Sequence, residues 1–566
     1  MLRHVFARLA RRGSARSGAC PPGAARARSS GAGALALVVG GTAALTLATA
    51  SPAVAQYFGR NKVNYETFDF RILQTPKFDI HYYPAESTAT ADAARMAERW
   101  YTRLSPFMRH ELGRKSIIFF ADQPDFQQNN VTTIESEGTG GVTEGFRQRV
   151  VMPFTGIYGS THHVLGHELV HVFQYDIAEK AGGAQGLNQL PLWLVEGMAE
   201  YLSLGREDVN TATWLRDAAR RDDVPTIRQL TTDPRYFPYR YGQALWAYVG
   251  GRFGDQAVVD VFRQSLRYGF EGAIRRVLDV TTDQLSKDWA ASIKSAYLPL
   301  LAGRTAPDST GTAVVRQKGA RGGEYNTSPV LSPDGRSLAF FSSRGLFGID
   351  LYVADAETGR VRRQLSSINS PRHFDALSFI NSAGSWSPDG QRLVYLVYRE
   401  GNQELEIFDL ARGRATKRLR TPGIGAAVDP AWSPDGRYIA FAGHVGGISD
   451  LFLYDLETDR VERLTDDREA QLQPAWSPDG RSLAFATDAG PGTNFERLTF
   501  APMRLATMDV SARTVRLLAA FPGARHINPQ WSADGRSLYF IADPDGFSDV
   551  YRLELASGAR FRLTRT

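Results

Sequence analysis

Two histidines four residues apart, His167 and His171, enclose a glutamate in the run His162-His163-Val164-Leu165-Gly166-His167-Glu168-Leu169-Val170-His171-Val172-Phe173-Gln174-Tyr175. Residues at that spacing project from one face of a helix, so both imidazoles can converge on a single metal ion. Leu165, Leu169, Val172 and Phe173 supply an apolar face, which predicts that the run is helical. Glu168, next to the first histidine, reaches a water at the metal rather than the metal itself. It would take that water's proton, while zinc lowers the water's pKa towards neutrality. His-Glu-x-x-His is a zinc metalloprotease pattern, although matches also arise by chance in unrelated chains.

A metal site of this kind needs a third protein ligand. The segment Pro191-Leu192-Trp193-Leu194-Val195-Glu196-Gly197-Met198-Ala199-Glu200-Tyr201 offers two carboxylates, Glu196 and Glu200, four apart on a second predicted helix. Trp193, Leu194, Val195, Met198 and Tyr201 flank them, a poor setting for a merely solvated face. The one cysteine, Cys20, lies in the N-terminal segment, so metal chemistry further along must use histidine and carboxylate.

With these segments the chain resembles the gluzincin metallopeptidases, the aminopeptidase-N-like and thermolysin-like group, whose third ligand is the Glu of a Trp-Leu-x-Glu-Gly-x-Ala-Glu-Tyr segment. The resemblance implies one zinc ion (Zn2+) per chain, held by His167, His171 and Glu196, with Glu200 one turn on orienting a ligand imidazole. A further segment, Pro238-Tyr239-Arg240-Tyr241-Gly242-Gln243-Ala244-Leu245, is similar to the Pro-Tyr-x-x-Gly-x-Ala-Leu segment of the aminopeptidase-N-like enzymes. There the tyrosine hydrogen-bonds the oxyanion, a role that falls on Tyr239, with Tyr241 as the fallback.

The chain also departs from that pattern. Twenty-four residues, 172–195, separate His171 from Glu196, longer than in the best-known gluzincins, and Gly182-Gly183-Ala184-Gln185-Gly186 reads as a loop absorbing the difference. The Gly-x-Met-Glu-Asn strand of the aminopeptidases is not found. Gly141-Val142-Thr143-Glu144-Gly145, ahead of Arg149-Val150-Val151-Met152-Pro153-Phe154, is a faint echo that leaves Glu144 as a weak candidate for binding an amine. Aminopeptidase activity is therefore not expected. His162 and His163 read as a surface pair at the helix start.

The second half repeats. Ser332-Pro333-Asp334-Gly335 recurs at Ser387, Ser433 and Ser477, and as Ser532-Ala533-Asp534-Gly535, with successive aspartates 55, 46, 44 and 55 residues apart, the period of a four-stranded propeller blade. Each motif is a turn in which Pro sets φ, Asp suits the third position and Gly takes the fourth. Trp386, Trp432, Trp476 and Trp531 precede four of the serines, and Leu331 the first. This half resembles the TolB-like, WD40-related β-propellers, in which such Trp and Asp residues fill blade cores and close turns. Propellers of that kind usually close with six blades, and five are recognised here.

The expected fold class is α+β: a mixed α/β gluzincin metallopeptidase domain over residues 56–303, a linker at 304–322, and an all-β propeller of four-stranded blades over 323–566. Residues 1–55 hold seven arginines and no lysine or acid, then an apolar stretch and Ala53-Val54-Ala55. This is the pattern of a signal peptide, implying export to the periplasm or beyond the cell and no stable membrane span after cleavage. Without those arginines the formal charge of +6 falls to −1 for residues 56–566, so nucleic acid is not an expected partner.

The expected function is an exported zinc peptidase acting on a peptide or protein substrate, its propeller gating access or binding a protein partner. The alternative is a propeller-based binding or scaffold protein with an idle metal site. A third reading keeps the zinc chemistry but directs it at a non-peptide substrate such as an epoxide or ester.

Overall fold

The computed structural model describes residues 64–131, 138–315, 325–344, 349–365, 376–377 and 384–566. The expected signal segment, with Cys20, lies outside the described residues. Among those described, no helix is long and apolar enough to cross a membrane.

Five short strands, β1 (Arg71–Gln74), β2 (Phe78–Tyr82), β3 (Lys115–Phe120), β4 (Val142–Glu144) and β5 (Arg149–Pro153), form one sheet in the order β1-β2-β3-β5-β4. The central pairs are parallel, and β1 and β4 run antiparallel to their neighbours. Parallel neighbours need a crossover. Helix α1 (Ser87–Met108) supplies it between β2 and β3, and the short α2 (Gln123–Gln127) follows β3. The chain then builds α3 (Tyr158–Lys180), α4 (Leu192–Leu204), α5 (Val209–Arg220), α6 (Ile227–Thr232), α7 (Pro238–Phe253), α8 (Asp255–Leu278) and α9 (Thr282–Leu301). Between α3 and α4 the glycine-rich stretch makes a turn of 3-10 helix, Ala184–Gln189.

Leu165, Leu169, Val172 and Phe173 are buried, as the apolar spacing of α3 requires, in a core with Ile80, Ile117, Val150 and Met152 of the sheet. Gly166 makes the α1 contact possible, because a Cβ there would overlap the Trp100 indole.

The glycines of the two later motifs have a shared purpose. Helices α4 and α7 cross at Gly197 and Gly242, so closely that a Cβ on Gly197 would lie 2.5 Å from Gly242 Cα. Backbone cannot give way as a flexible side chain can. Trp246 Nε1 donates to Leu194 O at 3.1 Å beside the crossing. Gly197→Ala is therefore expected to destabilise the fold by roughly 1–3 kcal/mol, seen as a lowered denaturation midpoint. It should also weaken metal binding, since Glu196 is the adjacent residue.

The second half contains five antiparallel sheets among the described residues, four of them four-stranded and one, the second, five-stranded. Sheet three is representative, with strands Ala426–Trp432, Tyr438–Val445, Ile448–Asp455 and Arg460–Arg463. The repeated motif closes the turn before the second strand. Ser433 Oγ donates to Asp435 Oδ1 at 2.5 Å, Tyr438 N donates to Ser433 Oγ at 2.8 Å, and Gly436 takes φ 77°. The tryptophans join neighbouring sheets: the Nε1 groups of Trp386, Trp476 and Trp531 donate to Val330 O, Ala431 O and Ala475 O of the preceding sheet at 3.0–3.1 Å. Trp432 instead donates to Gly436 O in its own turn.

The two halves interpenetrate. A loop of the fourth sheet, between strands Ser482–Thr487 and Arg504–Asp509, sends Leu498 into the core of the helical half, with Phe495 and Phe500 packed beside it. Arg95 and Arg99 of α1 hold this loop by its carbonyls, Nη2 of Arg95 donating to Phe495 O at 2.7 Å and Nη1 of Arg99 to Arg497 O at 2.6 Å. Arg468 pairs with Asp92. From the third sheet, Ser449 N donates to Gly156 O at 3.1 Å, just ahead of α3. The described part of the expected linker is anchored too: Arg304 lies 3.4 Å from the Phe547 ring centroid and pairs with Asp545 at 2.7 Å.

Candidate metal centre

Helix α3 presents His167 and His171 one turn apart, and α4 brings Glu196 to meet them. His167 Nε2 and His171 Nε2 lie 3.1 Å apart, and Glu196 Oε2 is 3.3 Å from the first and 3.1 Å from the second. All three side chains are buried, and they form a group that could hold a metal ion.

The partners behind the imidazoles decide what these atoms are. Gln174 Nε2 donates to Val195 O at 3.0 Å, which turns the amide oxygen to His171 Nδ1 at 2.8 Å. His167 Nδ1 faces Glu200 Oε1 at 3.0 Å. An amide oxygen and a carboxylate only accept, so each Nδ1 is the position for a hydrogen and each Nε2 is left to face the common point, where it can take a metal or a second proton. Two imidazole Nε2 atoms and a carboxylate oxygen thus face one another. Such a set suits a cation, and histidine nitrogen with carboxylate oxygen is a donor combination used for zinc.

Without a metal, the surrounding carboxylates draw protons onto these imidazoles, so a metal ion and a proton compete for the same nitrogens. Burial alone would push His167 down, but the Glu196 and Glu200 carboxylates outweigh it and hold the imidazole up, to about 10. Burial likewise opposes ionisation of Glu196, yet His171 and His167 keep its carboxyl well below the usual range. Glu200, also held low against burial, is shared with Arg240, whose Nη1 donates to Glu200 Oε2 at 3.1 Å and lies 3.4 Å from Asp208 Oδ1.

Glu168 is not among the three converging residues, but its charge acts on His167, His171 and Tyr239. Thr143 Oγ1 of β4 donates to Glu168 Oε2 at 2.6 Å, and a Cβ on Gly141 would lie 3.0 Å from Glu168 Cγ. The carboxylate is thereby held between α3 and the edge strand β4. Tyr239, in the first turn of α7, stacks on His167 with ring centroids 5.9 Å apart and planes 12° apart. Burial, then the charges of Glu196 and Glu168, push its phenol up, so the hydroxyl stays a donor. Tyr241 turns away into an aromatic cluster with Tyr236 and Trp214.

One expectation changes. His162 and His163 are not a surface pair. His162 lies against Trp100 and Phe500 at 4.9 and 6.2 Å between centroids, and burial followed by Arg99 and Arg103 lowers it to about 4. His163 Nε2 joins the Glu200 group at 3.6 Å. Glu144 pairs with Arg149 at 2.5 Å.

Gln174, by contrast, carries no mark in the sequence beyond its place one turn after His171. Gln174→Leu is expected to lower affinity for zinc roughly 10–100-fold, measured by competition with a chelator, whereas Gln174→Glu keeps an acceptor and should retain most of it.

Two families match the chain. Residues 156–228 match the one described as Peptidase of plants and bacteria, a span that holds His167, Glu168, His171, Glu196 and Glu200. Residues 376–498 match the TolB beta propeller domain, within the repeated half. Among solved structures, TolB from Acinetobacter baumannii is 19% identical, with 51% of this chain and 60% of that chain covered and a TM-score of 0.31. A Mycobacterium tuberculosis puromycin-hydrolyzing peptidase is 17% identical over 42% of this chain and 37% of its own, with a TM-score of 0.32. Both matches thus span less than two thirds of the other protein. No curated protein sequence matches the chain.

Proposed function

We propose that this chain is an exported zinc-dependent peptidase of gluzincin type. One observation carries the reading: His167, His171 and Glu196 converge as three possible metal ligands, with Glu168 adjacent and Tyr239 stacked on His167. The match of residues 156–228 to a peptidase family supports it independently.

A zinc ion held there would supply a Lewis acid that polarises the scissile carbonyl and lowers the pKa of water. Glu168 removes the proton of the attacking water at its carboxylate and delivers it to the leaving amine nitrogen. Tyr239 donates its hydroxyl hydrogen to the carbonyl oxygen as negative charge develops there. Glu200 and Gln174 fix the two imidazoles in the ligating tautomer.

In this reading residues 1–55 direct export, 56–303 form the peptidase domain, 304–322 link it to the propeller, and 323–566 form the propeller. The propeller supports α3 through its loops and offers its remaining surface to a protein partner.

The test is digestion of a mixed-sequence peptide library by the mature chain, after removal of metal and after return of one equivalent of zinc. Cleavage restored by zinc is the expected result. A folded chain that takes up no zinc, or takes up zinc and cuts nothing, would overturn the reading in favour of a binding protein or a non-peptide substrate.

A further inference from the structure

Large aromatic side chains are seldom left half exposed in contiguous groups unless something binds to them. Trp214 of α5 and Phe237, the residue before α7, are each 42% exposed. They are not isolated. Trp214 and Phe237 have ring centroids 5.7 Å apart, Phe237 and Tyr239 are stacked at 5.0 Å with planes 22° apart, and Tyr239 in turn stacks on His167. Four rings therefore run in series from solvent to the proposed metal centre.

The column is built from three separate elements, α5, α7 and α3, so its continuity is a product of the fold. Trp214 is braced edge-on by buried Tyr241 at 6.1 Å. On the same helix, Arg216 lies over the Phe547 ring at 4.1 Å, tying α5 to the propeller. The outer rings are thus supported from behind while keeping nearly half of their surface open.

We propose that Phe237 and Trp214 form an apolar shelf that binds an aromatic or long aliphatic side chain of the substrate, on a residue flanking the scissile bond. This rests on the peptidase reading above. The distances suit it: successive residues of an extended peptide advance by about 3.3–3.6 Å, so a residue next to a carbonyl held under Tyr239 reaches the ring stacked one step out. The two outer rings, Trp214 and Phe237, carry no charge and so select against acidic and basic side chains, which would lose hydration there.

The test compares zinc-loaded wild type, Phe237→Ala and Trp214→Ala on quenched peptides carrying Phe, Leu, Ala, Asp or Lys at the positions flanking the cut. Wild type is expected to favour Phe and Leu over Ala in kcat/KM. The Phe-to-Ala ratio should fall roughly tenfold or more in Phe237→Ala, and less in Trp214→Ala. A merely structural role would lower both substrates alike and leave the ratio unmoved. No aromatic preference in wild type, or an unchanged ratio in Phe237→Ala, would overturn the proposal.

If wild type cuts nothing, the peptidase reading fails and the shelf is read by binding instead. Calorimetric titration of the zinc-loaded chain with a Phe-containing hexapeptide should then give tighter binding than with its Ala counterpart, lost in Phe237→Ala. Equal affinities would refute the shelf on its own account.

Discussion

Replacing Glu168 by Gln is expected to lower kcat by roughly 10⁴-fold, the upper end of what positioned acid–base catalysis contributes, while zinc content and fold stay as in wild type. The substitution changes one oxygen to an amide nitrogen at constant size, which matters because the pocket is tight: Gly141 closes on Glu168 Cγ, and the side chain is buried. Thr143 Oγ1, now donating to Glu168 Oε2, can still donate to the amide oxygen of Gln. The three metal-binding atoms belong to His167, His171 and Glu196 and are untouched. Turnover on a peptide substrate beside metal analysis of the same sample checks the result. Activity equal to wild type would remove Glu168 from the reaction.

Tyr239→Phe should cost roughly 10²–10³-fold in kcat, the effect of losing one oxyanion donor, with little change in KM. The ring itself packs between His167 and Phe237, and Phe preserves both contacts. Only the hydroxyl is lost. Because burial and nearby carboxylates raise the phenol's pKa, the donor is retained as pH rises through the neutral range, and loss of activity there would have to come from another group. A KM effect without a kcat effect would reassign Tyr239 to substrate binding. Tyr241→Phe serves as the comparison, since that residue sits in the neighbouring aromatic cluster.

The parts of the site that the sequence displays are those set by short helical spacing. His167, His171, Glu196 and Glu200 could be paired within their segments because residues four apart share a helix face. The turn motifs of the second half were legible for a similar reason, since each closes within six residues. What the sequence hid depends on segments meeting across long separations. Thr143 holds Glu168 from a strand 25 residues earlier, and Arg240 reaches Glu200 from 40 residues later. Gly197 and Gly242 stood in recognised segments, but that they touch each other is a property of the helix crossing. His162 looked like a surface residue because the rings that cover it come from α1 and from a loop more than three hundred residues on.

That loop also sets an order of events. Leu498 is part of the same core as Leu165 and Leu169, the residues that seat the His-Glu-x-x-His helix. During synthesis the N-terminal half emerges first, yet its core lacks a component until residues near 500 have followed. Contacts of such sequence separation form late. The helix bearing His167 and His171 therefore cannot reach its final packing on a half-made chain. Under the proposed peptidase reading, the helix that carries the site completes its packing only once the C-terminal half is present.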